Sequence, residues 1–127
     1  MSVGLLVITH NNIGRELLET ARIMLNTCPL ETSDLAITTD CDPTKSLEIA
    51  QQRIHELDTG DGVLVLTDMF GSTPSNIAHK LAENSNVIII TGINLPMLVR
   101  TLNYPRLKLK ALAEKARSGG HDGIIIS

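Results

Sequence analysis

A histidine and an aspartate stand directly after two apolar segments of the sequence. His10 follows the apolar residues 4–8 and Thr9, and Asp68 follows residues 62–67. A carboxylate that accepts the Nδ1 proton of an imidazole fixes the tautomer of the ring and leaves Nε2 free as a nucleophile. If the two segments are neighbouring strands, His10 can attack phosphorus or another electrophile with Asp68 as its orienting partner.

The stretch that follows Asp68, DMFGSTPSN, contains the groups that hold an anion. Gly71 lets the backbone approach a ligand closely, while Ser72, Thr73 and the following amides stand at the predicted N-terminus of a helix. This stretch contains no Lys or Arg, and neither do residues 11–14, which follow His10. The pattern favours a phosphoryl group that is held briefly and passed on, without a metal or a cofactor.

Each of these residues also has an ordinary structural explanation. A histidine at a strand end can be a polar residue that reaches solvent, and an aspartate before a turn can be only a cap. Their combination at adjacent strand ends, next to a turn suited to phosphate, favours function. The other histidines lack a matching acidic partner and are predicted to lie at the surface: His55 and His79 in helices, His121 in a glycine turn.

Four continuous apolar segments predict strands, at residues 4–8, 35–38, 62–67 and 86–91. Continuous rather than alternating apolar residues are typical of parallel strands covered on both faces. Helical segments lie between them, so the expected fold is an open α/β sheet with helices on both faces. In the common strand order 2-1-3-4, the ends of the first and third strands are adjacent, which places His10 beside Asp68.

Apolar stripes and capping residues predict the helices. The first two stripes consist of Ile13, Leu17, Leu18, Ala21, Met24 and Leu25, and of Leu47, Ile49, Ala50, Ile54 and Leu57. Asp42-Pro43 and Thr73-Pro74 mark helix starts. Later helices are predicted over residues 96–102 and 107–118, the last one ended by Gly119-Gly120. Residues 122–126 are a fifth strand candidate, antiparallel at the sheet edge or crossing to a second subunit.

Length and composition limit the classes of partner. A chain of 127 residues predicts a single domain, residues 1–127. The formal charge is -3, and the sequence contains no Trp, one Phe and one Tyr. This composition argues against nucleic acid and anionic membranes as partners. Cys28 and Cys41 lack metal-ligand spacing, which indicates reduced thiols in a cytoplasmic protein. The apolar residues 3–8 are too few to insert in a membrane.

Three motifs resemble the mannose-type IIA domain of the bacterial phosphoenolpyruvate-dependent sugar phosphotransferase system (PTS). They are LLVITH at residues 5–10, LTDMFGSTPSN at residues 66–76 and TGINLPML at residues 91–98. The resemblance covers nearly the whole chain.

Motifs of nucleotide phosphate loops, dinucleotide-binding turns, zinc proteases and serine hydrolases are absent from the sequence.

The resemblance implies a phosphohistidine carrier. His10 matches the histidine that takes a phosphoryl group from the histidine-containing phosphocarrier protein and passes it to a IIB domain, which carries it to sugar at a membrane permease. The family's carboxylate partner matches Asp68. Its phosphate-side hydroxyl, usually a serine before the proline, matches Thr73. The resemblance also implies a homodimer in which C-terminal strands cross between subunits, and peripheral association with a permease.

Other readings remain open. Well-known relatives continue into a IIB domain, so the expected acceptor is a separate IIB protein; some freestanding relatives are regulatory, and a related domain serves dihydroxyacetone kinase. A receiver-like module phosphorylated on Asp68, with Thr91 after the fourth strand, is a weaker alternative because the acidic pair expected after the first strand is replaced by Thr9-His10-Asn11.

Apolar residues near the predicted site have two interpretations. Ile13, Met69, Phe70 and Met97 are candidates for a shallow docking surface around His10, and ordinary core packing is the alternative for each.

Overall fold

The computed structural model describes residues 2–127, which form four strands and five helices in alternation up to the last strand. The strands are β1 (Gly4–His10), β2 (Thr32–Ile37), β3 (Val63–Thr67) and β4 (Val87–Thr91). The helices are α1 (Ile13–Leu25), α2 (Pro43–Leu57), α3 (Thr73–Ala82), α4 (Leu95–Leu102) and α5 (Leu109–Asp122). None of these helices is both long and apolar enough to cross a membrane.

The four strands form one parallel sheet in the order β2-β1-β3-β4, which confirms the predicted order. β1 lies in the middle, with His10 paired to Ile37 of β2 and Ile8 paired to Thr67 of β3. Because the strands are parallel, their carboxyl ends share one edge of the sheet. The residues that follow β1 and β3 are therefore brought to the same edge.

Both faces of the sheet are covered by helices, as predicted. Leu5, Val7, Leu64 and Leu66 pack into a core with residues of α1, α4 and α5. Leu6, Ile8, Val63 and Val65 face the opposite core, formed with α2 and α3. Burial on both faces explains why these strands are continuously apolar.

The predicted helical stripes were wider than the faces that are buried. In α1, Leu18 and Ala21 are buried, whereas Ile13 and Met24 are exposed. In α2, Ala50, Ile54 and Leu57 are buried, whereas Ile49 is exposed. Small residues are buried instead: Gly14 of α1, which lies directly against Val7 of β1, and Ser46 of α2.

The prediction that Gly119-Gly120 ends the last helix was wrong, because α5 continues through both glycines to Asp122. A Cβ at Gly119 would lie 2.7 Å from Arg100 Cβ, and one at Gly120 would lie 2.8 Å from Met97 Cε. These glycines therefore let α5 approach α4 closely. The free energy of this packing offsets the low helix propensity of glycine.

The fifth strand predicted at residues 122–126 is not formed within the single chain. Asp122 ends α5, where its Oδ2 accepts a hydrogen bond from Arg100 Nη1 at 2.8 Å, and this bond lowers the pKa of the carboxyl. The side chains of Ile124, Ile125 and Ile126 are exposed by 74%, 76% and 99%. A β-strand needs a partner strand, and within the described residues these isoleucines have none.

Candidate functional site

His10 is the last residue of β1 and lies at the carboxyl edge of the sheet. Asn11 adopts a φ of 49°, in the left-handed region that Asn tolerates better than most residues, so the chain turns at once. α1 begins two residues later, at Ile13. This short turn leaves 44% of the His10 side chain exposed, so the imidazole is accessible to a partner.

Asp68 holds the His10 imidazole directly. Its Oδ2 atom lies 2.8 Å from His10 Nδ1 and also accepts a hydrogen bond from the His10 backbone N–H at 3.0 Å. An ionised carboxylate can only accept, so Nδ1 carries the proton and the lone pair of the neutral ring is on Nε2. The structure thus brings together the two side chains that the sequence analysis paired.

The Asp68 side chain is only 14% exposed and its second oxygen is unusual. Within the described residues, Oδ1 is buried and has no hydrogen-bond partner. Both hydrogen bonds from His10 therefore converge on one carboxylate oxygen, Oδ2. This arrangement fixes the main chain and the ring of His10 to the same atom.

The turn between β3 and α3 contains the residues predicted to receive a phosphoryl group. Gly71 has a φ of 81° and a Cβ added there would meet nothing within 4 Å, so the turn is open to solvent at this point. The Ser72 hydroxyl donates to the Met69 carbonyl at 2.6 Å. Thr73 is the first residue of α3 and is exposed. Among the predicted hydroxyls, that of Thr73 is the better placed to meet a ligand.

A cavity of about 360 Å³ connects His10 with Thr73. It is lined by His10, Asn11, Ile37, Thr38, Thr39, Cys41, Pro43 and Thr73. Pro43 and Thr73 are the first residues of α2 and α3, so two helix N-termini border the cavity. Helix N-termini carry partial positive charge, which favours an anion. At α2 the Asp42 carboxylate already accepts from the Thr44 N–H at 3.0 Å, whereas α3 has no side-chain cap, so the α3 N-terminus is the better site for an anion.

The β2 side of this cavity was not predicted from the sequence. Ile37 ends β2, and residues 38–43 lead from it to α2. In the predicted order 2-1-3-4, the carboxyl end of β2 also lies beside that of β1. The strand order was therefore a signal that this loop, including Cys41, would border His10.

The four apolar candidates for a docking surface have different surroundings. Met97 is buried in the core, which excludes it. Ile13, Met69 and Phe70 are exposed, Phe70 by 75%. The ring of Phe70 makes an edge-to-face contact with the ring of His79 at a centroid distance of 5.8 Å. Three of the four candidates are thus apolar side chains at the surface.

The other histidines are placed elsewhere. His55 is exposed on α2, and His79 is exposed on α3 with its Nδ1 atom 2.8 Å from the Ser75 carbonyl oxygen. His121 lies in the last turn of α5 rather than in a glycine turn. Residues 2–127 contain no group of three or more His, Cys, Asp or Glu arranged to hold a metal ion.

A carboxylate-held imidazole beside two helix N-termini, at the carboxyl edge of a parallel sheet, is suited to phosphoryl transfer. Comparison with known proteins places the chain in a family of this class. Residues 4–117 match the family described as the PTS system fructose IIA component. The chain belongs to this mannose and fructose IIA family, and the resemblance seen in the sequence is confirmed.

Relatives combine this domain with different additional segments. The chain is 31% identical over 107 residues to the PTS system mannose-specific EIIAB component of Escherichia coli strain K12, and covers 32% of that protein with 80% of its own length. It is 31% identical over 116 residues to the transcriptional regulatory protein LevR of Bacillus subtilis strain 168, with 87% of this chain and 12% of LevR covered. The chain thus spans a third or less of these curated relatives.

A solved structure supports the fold. The mannose/sorbose-specific IIA subunit of the phosphotransferase system from Enterococcus faecalis superposes with a TM-score of 0.89 at 19% identity, covering 100% of this chain and 96% of that subunit. The four-stranded sheet and its five helices are therefore those of PTS IIA domains. Family membership supports a role as a phosphotransfer component of the PTS.

Proposed function

We propose that the chain acts as one IIA-like phosphocarrier domain, with His10 as the residue that bears the phosphoryl group. The observation that carries this proposal is the 2.8 Å contact between His10 Nδ1 and Asp68 Oδ2, made by an accessible ring. The donor is the histidine-containing phosphocarrier protein, and the acceptor is a separate IIB protein that serves sugar uptake. In this role the chain is a cytoplasmic protein that associates peripherally with a permease.

The proposed transfer needs few groups. The Nε2 lone pair of His10 attacks phosphorus, and the P–N bond to the donor's histidine breaks with its electron pair returning to that imidazole. The phosphorylated His10 ring keeps its Nδ1 proton, and the negative charge of Asp68 stabilises the positive charge that the ring acquires. The Thr73 hydroxyl, the open backbone at Gly71 and the N–H groups of Ser72, Thr73 and Ser75 receive the phosphoryl oxygens, since Pro74 has no N–H to donate. Transfer to the IIB protein reverses these steps.

The test is reconstitution with phosphoenolpyruvate, the general phosphotransferase enzyme and the phosphocarrier protein. Labelled phosphoenolpyruvate is expected to transfer one phosphoryl group to this chain. The label should be lost in acid and retained in base, and it should map to His10. Absence of label in the complete mixture, or a label that resists acid, contradicts the proposal.

We propose that Ile13, Met69 and Phe70 form the surface on which the phosphocarrier docks. Exposed aromatic residues near the centre of an interface often dominate its affinity. Phe70→Ala is expected to raise the half-saturation concentration of the phosphocarrier about tenfold, with the transfer rate at saturation unchanged. Ile23→Ala, an equally exposed side chain of α1, is the control. Equal half-saturation concentrations for both variants would contradict the docking surface.

We propose that the chain forms a homodimer in which residues 124–126 of one copy pair antiparallel with the edge strand β4 of the other. Three consecutive exposed isoleucines and an edge strand with one neighbour support this pairing. Sedimentation equilibrium is expected to give twice the chain mass of 13.8 kDa, and Ile125→Asp to give a monomer. Ile23→Asp, with another exposed isoleucine changed, should remain dimeric. A monomeric wild type would exclude the dimer.

A regulatory role is the second candidate, because one relative is a transcriptional regulator. In this role, the phosphorylated and free forms of His10 bind a target differently. Affinity capture with wild type, before and after phosphorylation, distinguishes the two roles: a relay recovers a IIB protein, and a regulator recovers a different protein in one phosphorylation state only.

Recovery of a dihydroxyacetone kinase subunit would assign the chain to that system. Labelling of Asp68 by acetyl phosphate with Mg²⁺, independent of His10, would instead support the receiver-like alternative.

A further inference from the structure

The Thr9 hydroxyl connects the two ends of the turn that carries His10. Its Oγ1 atom accepts a hydrogen bond from the Gly14 backbone N–H at 2.8 Å and donates one to the His10 carbonyl at 3.2 Å. The Thr9 residue is only 1% exposed. Its side chain points to the α1 side of the sheet, opposite to His10, so it cannot touch a phosphoryl group or a docked partner.

This hydroxyl replaces the usual cap of α1. Asn12 is the N-cap residue, but its side chain makes no capping hydrogen bond. The first N–H groups of a helix have no intrahelical acceptor, and a buried one left unpaired is unfavourable. Gly14 is buried in this first turn, and its N–H is paired with Thr9. The end of β1 therefore caps the helix that follows it.

Close packing makes the connection rigid. A Cβ at Gly14 would lie 2.6 Å from Val7 Cγ1 and 3.1 Å from Thr9 Oγ1, so the helix start is seated directly on β1. Between these points, the Asn11 N–H donates to the Ile37 carbonyl at 3.0 Å. The turn is thus attached to β1 and to β2, and the backbone N–H and the ring of His10 both bond to Asp68.

We propose that Thr9 is a positioning residue for phosphoryl transfer at His10, an inference that rests on the proposed function. Asp68 fixes the ring and the backbone N–H of His10, and Thr9 fixes the backbone on the other side, at the His10 carbonyl. With both attachments, Nε2 keeps one direction towards the cavity. Loss of the Thr9 attachment lets the turn shift, and small displacements of a reacting group greatly reduce transfer rates.

Thr9→Val removes the hydroxyl and keeps the shape, whereas Thr9→Ser keeps the hydroxyl. In the reconstituted reaction, Thr9→Val is expected to lower the transfer rate at saturating phosphocarrier about tenfold or more. The half-saturation concentration should stay the same, because Thr9 is buried. Thr9→Ser should restore most of the rate. The NMR signal of the His10 Nδ1 proton should weaken or broaden in Thr9→Val alone, because its bond to Asp68 is less well held.

Thr101→Val is the matched control, because Thr101 is another fully buried threonine whose hydroxyl donates to a backbone carbonyl, that of Met97. It should lower the melting temperature while leaving transfer unchanged. If Thr9→Val transfers as fast as the control, the positioning role is wrong even though wild type is labelled. If Thr9→Ser is as slow as Thr9→Val, the hydroxyl is not responsible. Failure of wild type itself to be labelled would instead overturn the proposed function.

Discussion

His10→Gln is expected to abolish labelling of this chain by the phosphocarrier. Glutamine is close to histidine in size and can donate a hydrogen bond to Asp68 Oδ2, but its amide has no nucleophilic nitrogen. Because a carrier depends on a single covalent bond to phosphorus, we expect the label to fall by about a thousandfold or more, to background. The measurement is radiolabel per chain after quenching in base, with circular dichroism to show that the fold is retained.

His55→Gln provides the matched control for this variant. His55 is exposed on α2, and its loss changes the same chemical group at the surface. It should be labelled as fast as wild type. Persistent base-stable label on His10→Gln would show that another residue bears the phosphoryl group.

The second large effect is expected for Asp68→Asn. Asparagine keeps the shape of the side chain and an oxygen for the His10 N–H groups. It has no negative charge to stabilise the phosphorylated ring, and it holds the His10 imidazole less strictly in one tautomer. Neutralising the carboxylate partner of a catalytic histidine typically costs between about 10² and 10⁴ in rate. Single-turnover transfer from the phosphorylated phosphocarrier, followed by rapid quench, measures this loss directly.

Asp61→Asn separates this effect from a general effect of charge. Asp61 precedes β3 while Asp68 follows it, so the two carboxylates lie at opposite ends of one strand. Asp61 pairs with Lys108 Nζ at 3.3 Å, far from His10 along β3. The control should transfer at the wild-type rate. If Asp68→Asn transfers as fast as Asp61→Asn, the carboxylate is not part of the reaction.

The sheet and the meeting of His10 with Asp68 followed from local patterns. Four apolar segments identified the strands, of which the central β1 and β3 are buried and the edge strands β2 and β4 are mostly half-buried. Asp42-Pro43 identified the start of α2, where the Asp42 side chain accepts from the Thr44 N–H at 3.0 Å. The strand order then placed two strand ends together. These predictions succeeded because strand burial and helix capping depend on neighbouring residues in the sequence.

Exposure near the site did not follow from local patterns. Phe70 and Met97 are both large apolar residues near the predicted site, yet Phe70 lies at the surface and Met97 lies in the core against Gly120. The sequence around each residue gives no measure of what packs on it. Met97 is covered by residues that include Gly120, more than twenty positions away in the sequence. Phe70 faces solvent except for its edge contact with His79.

Sequence patterns alone predicted four parallel strands, the starts of α2 and α3, and the proximity of His10 to Asp68. The bounds of β2 and the start of α5 were less exact: residues 35–38 were predicted for a strand that spans Thr32–Ile37, and residue 107 for a helix that begins at Leu109. Three features became visible only in the folded chain: α5 runs through two glycines, Thr9 Oγ1 accepts from the Gly14 N–H at the start of α1, and residues 124–126 have no partner strand within residues 2–127. Hydrophobic periodicity and capping residues depend only on the segment of sequence in which they lie. The close approach of α4 to α5, and of Gly14 to β1, depends on side chains supplied by another element.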